Sequence, residues 1–349
     1  MFNSIPGATD MGIVPVFVGL DYHDATIRVC ILDADGNMLV NKNVPNDHGA
    51  VIDLVRLHGG LVRGVAIEAC CGAADFASRL LDATEWTVKL AHPGAVNRLK
   101  QGPDKTDHGD AWHLADLLRV GYLPEVWLAD EQTRQLRRLV RYRAGLAEQK
   151  KEVKLRIGAV LREERLVNDS GAKPWTKRWN EWLKTVQAGE QSRWVLDQEI
   201  TRLKQLETWI DDVDARMKEA TKDDKVVAKL MEQVGVGIVT AVILRAVVGQ
   251  FDRFHTGKQL SRYCGVTPCN SSSGKRQADA GLVETGHDIL RPILIQLAKR
   301  LPRSDAHWKD IHSHLRKTKG ANVASAAIAN RWLRRVYHEM VSKAKQQPA

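Results

Sequence analysis

Residues 16–33, VFVGLDYHDATIRVCILD, decide the fold. VFVGLD and TIRVCILD are β-branched and apolar in the strand manner. A turn at Ala34-Asp35-Gly36-Asn37 follows, and then MLVNKNV over 38–44. Two such runs in close succession with a third beyond a Gly-Asn turn read as a three-stranded antiparallel meander. Working outward, residues 46–58 open on capping residues and are amphipathic, which predicts a helix. LVRGVAIE over 61–68 reads as a fourth strand, 73–83 as a helix, 87–91 as a fifth strand and 106–120 as a helix.

Three strands followed by alternating helix and strand is the element order of an RNase H-like α/β domain. In such a sheet the first and fourth strands are neighbours, so Asp21 and Glu68, which end them, converge at one edge. Asp107 and Asp110, three apart near a helix start, share a face. Four carboxylates there would suit two Mg²⁺ ions, which take oxygen ligands, with Mn²⁺ the alternative. Each acid also has a plainer reading, Asp107 as a helix cap and Glu68 as a strand-end surface acid.

Beyond residue 131 the period changes. Leu139, Leu146, Val153 and Val160 recur every seven residues, while Leu136, Arg143, Lys150 and Ile157 are only half apolar: a long helix with an incomplete coiled-coil seam. A second long helix repeats Leu196, Leu203, Ile210 and Met217, so the two can pair as an antiparallel arm. Trp175, Trp179 and Trp182 between them are read as packing on one helical face rather than as base-stacking platforms. A charged linker, TKDDK at 221–225, precedes a C-terminal region. There 226–233, the turn Val234-Gly235-Val236-Gly237 and the apolar 238–248 have the shape of a helix-hairpin-helix, whose glycines let backbone N–H groups approach a phosphate. Residues 265–286 read as a polar loop carrying Ser271-Ser272-Ser273-Gly274-Lys275-Arg276, a hydroxyl run beside two cations. Helices fill the remainder. The division is 14–128, 129–222 and 223–349.

The chain has 349 residues and a net charge of +10 at pH 7, with 44% hydrophobic and 27% charged residues, which excludes a disordered or fibrous protein. Its most apolar stretch, 238–248, is interrupted by Arg245 and too short for a membrane span; the N-terminus lacks the charged and apolar regions of a secretory signal. Five cysteines, without the second Cys/His pair a zinc site needs beside Cys264 and Cys269, point to a reducing compartment, the cytoplasm. Between 134 and 165 eleven Lys/Arg stand against four Glu, which puts most of the positive excess on the first arm helix. The net charge alone serves solubility as well as a polyanion partner; its placement on one arm, with the acid quartet and the serine loop, favours nucleic acid.

GLDYHDATIRVCILDADG, AIEACCGAADFASRL and KTDHGDAWHLADLLR resemble the DEDD domain of insertion-sequence transposases of the IS110 family, and QVGVGIVTAVIL, FDRFHTGKQLSRYCGVTP, SSGKR and GLVETGHDILR resemble their C-terminal domain. The resemblance spans about 16–343, and Glu68-Ala69-Cys70 is similar to the family's Glu-Ala-Cys branch. It implies a RuvC-like domain whose metal-binding acids fall on Asp21, Glu68, Asp107 and Asp110. The nucleophilic serine falls on Ser273, with Ser271 and Ser272 open as alternatives, because the serine triplet leaves the register uncertain. It further implies a homo-oligomer, dimer or tetramer, in which one subunit's acids meet another's serine, and a nucleoid-associated protein. A structured noncoding bridge RNA pairing with donor and target DNA, and covalent phosphoserine linkages, complete the implication. Arg134, Arg137, Arg138, Arg141, Lys150, Lys151 and Lys154 would then neutralise phosphates, with Gly235, Gly237, Lys275 and Arg276 holding DNA. Glu284-Thr285-Gly286-His287 departs from the Ser-Lys that many relatives carry. The rival readings are a RuvC-like junction endonuclease using water, an actin-like kinase or ATPase, and a non-catalytic nucleic-acid-binding protein.

Overall fold

The structure, a computed structural model, describes residues 14–100, 107–270, 279–284 and 286–344. Two compact units divide the chain, Met1–Glu131 and Gln132–Ala349.

The first unit is a mixed α/β domain. Its elements are β1 (Pro15–Tyr22), β2 (Thr26–Asp33), β3 (Met38–Pro45), α1 (His48–Leu57), β4 (Leu61–Glu68), α2 (Ala73–Ala83), β5 (Val88–Ala91), α3 (Pro93–Leu99), α4 (Asp107–Arg119) and β6 (Glu125–Val126). The sheet order is β3-β2-β1-β4-β5-β6. β1, β2 and β3 pair antiparallel, β4 and β5 run parallel to β1, and β6 closes the edge antiparallel. The meander and the helix-strand alternation match the sequence expectation. Helix α3 and strand β6 are additions, the first a Pro-started turn capped by His92, the second too short to show any period.

The sheet's two faces differ in grain. Val18, Leu20, Val29, Ile31, Val65 and Ile67 form a branched face buried under Val51 and Leu54 of α1 and Phe76 and Leu80 of α2. The opposite face is paved with small residues. Cys30 packs with Ala111 and Ala115, and Ala66 and Ala91 pack with Leu114 and Leu117. A β-carbon at Gly19 would overlap the Ala111 carbonyl oxygen and lie 2.6 Å from the Ala115 nitrogen. Glycine at 19 is what lets α4 lie against β1.

The second unit is helical apart from one short hairpin. It contains α5 (Glu131–Glu163, whose first residue closes the other unit), α6 (Lys177–Thr185), α7 (Glu190–Ala220), α8 (Lys225–Met231), α9 (Ile238–Val248), α10 (Gly257–Tyr263), β7 (Pro268–Asn270), β8 (Asp279–Leu282), α11 (Leu290–Ser304), α12 (Ala306–Lys319) and α13 (Ala321–Ala344). Helices α5 and α7 run antiparallel, since Arg143 meets Asp214, Lys150 meets Glu207 and Arg156 meets Glu199. The polar residues of the imperfect heptad are thus ion-paired across the seam. Leu146, Val153 and Ile157 bury against Leu196, Leu203 and Leu206 beside them.

Three expectations need correction. Trp175 precedes α6 and adopts a left-handed backbone, φ 67°, so it does not share a helical face with Trp179 and Trp182. It meets Trp179 at a tilt, ring centres 4.6 Å apart and planes 56° to each other, and the cluster packs as a core. The TKDDK stretch is structured, because Thr221 is buried and Asp224 caps α8 through the Val226 and Val227 N–H groups. The 265–286 segment is not all loop: β7 and β8 pair antiparallel at its ends.

Arg245, an oddity on apolar α9, is explained by its surroundings. It pairs with Asp224 at 2.9 Å, both nearly buried, and donates to the Thr133 hydroxyl. No helix among the described residues is long and apolar enough to cross a membrane.

Candidate active site

β1 and β4 run parallel with Leu20 beside Ile67, so Asp21 and Glu68 stand at matched positions one residue farther on. Strand alternation puts Asp21 on the face of Gly19, and Glu68 on the face of Ala66, which is the face α4 covers. The direction of α4 is fixed by its contacts. Ala111 lies over Gly19, and Leu118, two turns on, lies beside Gly64 nearer the start of β4. The N-terminal turn of α4, with Asp107 and Asp110, therefore lies toward the strand ends that carry Asp21 and Glu68. Asp107 opens the helix; its side chain lies outside the described residues.

The Asp21 Oδ2 accepts a hydrogen bond from His23 Nε2 at 3.1 Å, with the carboxylate largely covered and the imidazole half exposed. Arg28, opposite Asp21 on β2, turns to β3 instead and donates to the Asn41 side chain and carbonyl. Cys70 sits beside both acids. Burial pushes its thiol up first; the Ala73 N–H opposes this, and the charges of Glu68 and Asp21 push it further. Asp110, 7% exposed, is held by the Lys100 ammonium at 2.6 Å. His113, one turn along α4, is held below the ordinary histidine value by burial and by Lys100, and its Nε2 has no partner among the described residues.

Among the described residues no three His, Cys, Asp or Glu are close enough to share a metal ion. The donors are all carboxylate oxygens, the chemistry of a hard divalent cation. Lys100 supplies the positive charge that Asp110 requires, a role no spacing in the sequence reveals. His23, just past the end of β1, reaches back to Asp21 from the turn into β2.

The serine run, 271–276, with Ser271, Ser272, Ser273, Lys275 and Arg276, lies outside the described residues. The strands that flank it do not. Pro268 pairs with Leu282 and Asn270 with Asp279. Below them the Val283 N–H donates to the Thr267 carbonyl, and the Asn330 amide donates to the Val266 carbonyl. A β-carbon on Gly265 would lie 2.6 Å from the Gly286 Cα and 2.8 Å from Arg291 Nε, while Arg291 donates to the Val283 carbonyl. The G-V-T-P and G-H-x-x-L-R motifs are thus one packed clamp. His287 in this clamp is held below the ordinary histidine value, chiefly by burial and then by Arg137.

The basic residues of α5 are variously engaged. Arg137 donates to the Ala246 and Val247 carbonyls at the end of α9, Lys150 pairs with Glu207 and Lys151 with Glu148. Lys154 lies over the Trp175 ring at 4.7 Å, while Arg138 and Arg141 are exposed and Arg134 is half-buried. Gly235 has φ 79° in the turn between α8 and α9, and nothing crowds Gly237.

Two family models match the chain, a DEDD transposase model of IS110 type over residues 18–165 and the transposase IS116/IS110/IS902 family over 227–313. The chain belongs to the IS110 family of insertion-sequence transposases. It is 25% identical over 324 residues to the transposase for insertion sequence element IS1111A of Coxiella burnetii, covering 90% of this chain and 86% of that one. It is 28% identical over 289 residues to a Pseudomonas aeruginosa protein named "Probable family 20 transposase", covering 76% and 80%. The transposase for IS1328 of Yersinia enterocolitica is 24% identical over 278 residues, covering 77% and 81%. The first family model takes in β1 through α5, the elements that carry all four acids, and the second runs from α8 into α12 across the clamp. This IS110-family chain is a DNA transposase.

Proposed function

We propose that this transposase cuts and rejoins insertion-sequence DNA through a serine nucleophile, Ser273, assisted by Mg²⁺ or Mn²⁺ at Asp21, Glu68, Asp107 and Asp110. The observation that carries the reading is the convergence of Asp21 and Glu68 at adjacent strand ends toward the first turn of α4. The strand order, with β3-β2-β1-β4-β5 as its run, supports an RNase H-like (RuvC-like) domain. The α8–turn–α9 unit supports a helix-hairpin-helix, and the antiparallel seam of α5 and α7 supports a coiled-coil arm. On this reading the chain would have three functional parts, 14–128, 129–222 and 223–349, the last two lying within the second compact unit.

In the proposed reaction the Ser273 Oγ forms a bond to the phosphorus as its proton departs. The bond from phosphorus to the leaving deoxyribose oxygen breaks, and that oxygen takes a proton. Rejoining is the reverse with the incoming strand's hydroxyl, so bond count is conserved. A bound divalent ion would stabilise the developing phosphoryl charge. This chain's part would be to hold Asp21 and Glu68 on a stiff sheet edge, to keep Asp110, now paired with Lys100, as a candidate ligand for the ion, and to carry the serine run between the strands clamped by Gly265, Gly286 and Arg291. Arg134, Arg137, Arg138, Arg141, Lys150, Lys151 and Lys154, released from their present contacts, would neutralise phosphates; Gly235 and Gly237 would offer backbone N–H groups to a phosphate, and Lys275 and Arg276 would hold DNA near the serine. A bridge RNA would pair with donor and target DNA, and a dimer or tetramer in the cytoplasm, on the nucleoid, would bring acids and serine together.

The second reading is a RuvC-like junction endonuclease in which water attacks, favoured only by the same acids. Ser273→Ala, and a chain with Ser271, Ser272 and Ser273 all replaced, separate the two. Loss of strand exchange and of a covalent protein–DNA species supports the serine; strand exchange surviving the triple replacement would falsify it. Sequencing RNA that co-purifies from cells carrying the native flanking DNA tests the guide, and recovery of only degraded bulk RNA removes it.

A further inference from the structure

Between α12, α13 and the β7–β8 hairpin lies a cavity of about 510 Å³. Its floor is apolar, made by Leu282, Val323 and Ala326, and its rim carries Lys319, Arg331 and Arg334. Among the described residues no Asp or Glu lines it. Val323 is 52% exposed, a large apolar side chain left open on a surface otherwise rich in charge. The last turn of α12 adds Arg316 and Lys317 beside Lys319.

We propose that this cavity receives one unstacked nucleobase of the DNA being recombined, with the adjoining phosphates on Lys319, Arg331 and Arg334. The inference rests on the DNA-processing reading above. Three features choose this occupant. The volume falls within the range of about 300–1,000 Å³ typical of small-molecule sites. An apolar floor suits a flat base removed from its stack, as in enzymes that extrude bases. A rim with three cations and, among the described residues, no acid selects a polyanion and repels a second copy of itself. The location adds a reason, because β8 lines the cavity through Gly281 and Leu282 and leads back to the serine run. A base seated here would anchor the DNA strand at this hairpin.

The test uses the full chain and fluorescence anisotropy at one fixed salt concentration, since phosphate contacts alone vary with salt. The probes are a paired DNA duplex, the same duplex with one extrahelical thymine, and the corresponding RNA pair. The expected result is roughly tenfold tighter binding of the bulged DNA than of the paired DNA. Ala326→Phe, which fills a partly exposed position, abolishes that preference and leaves paired-duplex binding unchanged. Val323→Asp does the same by placing an anion in the floor, and serves if the first variant folds poorly. Equal binding of bulged and paired DNA by the unmodified chain overturns the proposal, as does a preference that survives both variants. An equal or stronger preference for bulged RNA moves the pocket to the guide and overturns the DNA assignment. Self-association abolished by Val323→Asp with the DNA preference intact gives the cavity to a second copy. Binding of no duplex at all removes the DNA-processing reading itself, a failure distinct from loss of the bulge preference.

Discussion

Gly19→Ala adds one methyl group at the point where α4 meets the sheet. That β-carbon would overlap the Ala111 carbonyl oxygen, approach the Ala115 nitrogen to 2.6 Å and touch the Ala115 β-carbon at 3.0 Å, where ordinary contacts are 3.4–4 Å. The obstacles are helix backbone, so no side-chain rotation relieves them, and α4 must retreat by roughly an ångström. Overpacking of this kind costs about 1–3 kcal/mol. The retreat also carries Asp107 and Asp110 away from Asp21, which stands two residues beyond Gly19 on the same face, and a displacement of about 1 Å can reduce a rate about a hundredfold. Calorimetric unfolding of the full chain, excision of a marked element in cells and DNA binding by anisotropy are measured together. The expected pattern is a lowered midpoint for the first unit, excision reduced by about two orders of magnitude, and DNA binding retained. A variant with the parental midpoint and parental excision would refute the argument that small residues at this seam set the acid geometry.

Lys100→Met removes the only described cation on Asp110, and leaving a buried charge unpaired costs about 3–5 kcal/mol; the variant should melt lower, and Mg²⁺ should raise its midpoint more than the parent's, with equal Mg²⁺ responses counting against an ion at Asp110. Arg245→Ala breaks the buried pair with Asp224 and should cost about 3–5 kcal/mol in urea unfolding, whereas a change below about 1 kcal/mol would show that the pair is solvated. Folding favours the neutral form of His287, because burial and then Arg137, with Arg141 adding and Asp288 opposing, hold it below its ordinary value of 6.5. The proton balance differs between the two states only in the window between the folded value and 6.5. Unfolding therefore takes up a proton, so its contribution is present above pH 6.5 and is lost as pH falls through that value toward the folded one. His287→Gln should flatten the midpoint in that window, and parallel curves for the two proteins would remove the residue from the account. Cys30, pushed up to about 12 by burial, should resist alkylation in the folded chain while exposed Cys71 is labelled, and labelling of Cys30 at the same rate would contradict its burial.

Much of this architecture was written in short-range periodicity. The alternation of VFVGLD and TIRVCILD and the capped helices gave the first five strands of the sheet and the positions of Asp21 and Glu68, because strand-end residues on neighbouring parallel strands must meet. Strand β6 and the β7–β8 hairpin went unread, because strands of two to four residues show no period. What the period could not supply was contact between distant segments. Lys100 reaches Asp110 across an intervening stretch that carries no pattern, and Arg245 looks misplaced until Asp224, twenty-one residues earlier, is seen beside it. Trp175 was assigned to a helix it precedes, since three tryptophans at near-helical spacing mimic a face when one of them sits in a turn. The hairpin at 268–282 was hidden by its polarity, strands of three and four residues being too short to alternate visibly.

The ion pairs across the α5–α7 seam have a mechanical meaning. A slip of one heptad would set Arg143 against Glu207, but Lys150 would then face Ile200 and Asp214 would face Leu136, stranding two charges among hydrocarbon. The two helices are keyed to a single register. At 33 residues α5 is a strut of about 50 Å, close to one and a half turns of B-form DNA at about 34 Å each. A keyed strut cannot creep under load, so whatever its far end grips is held at a distance set when the chain folds.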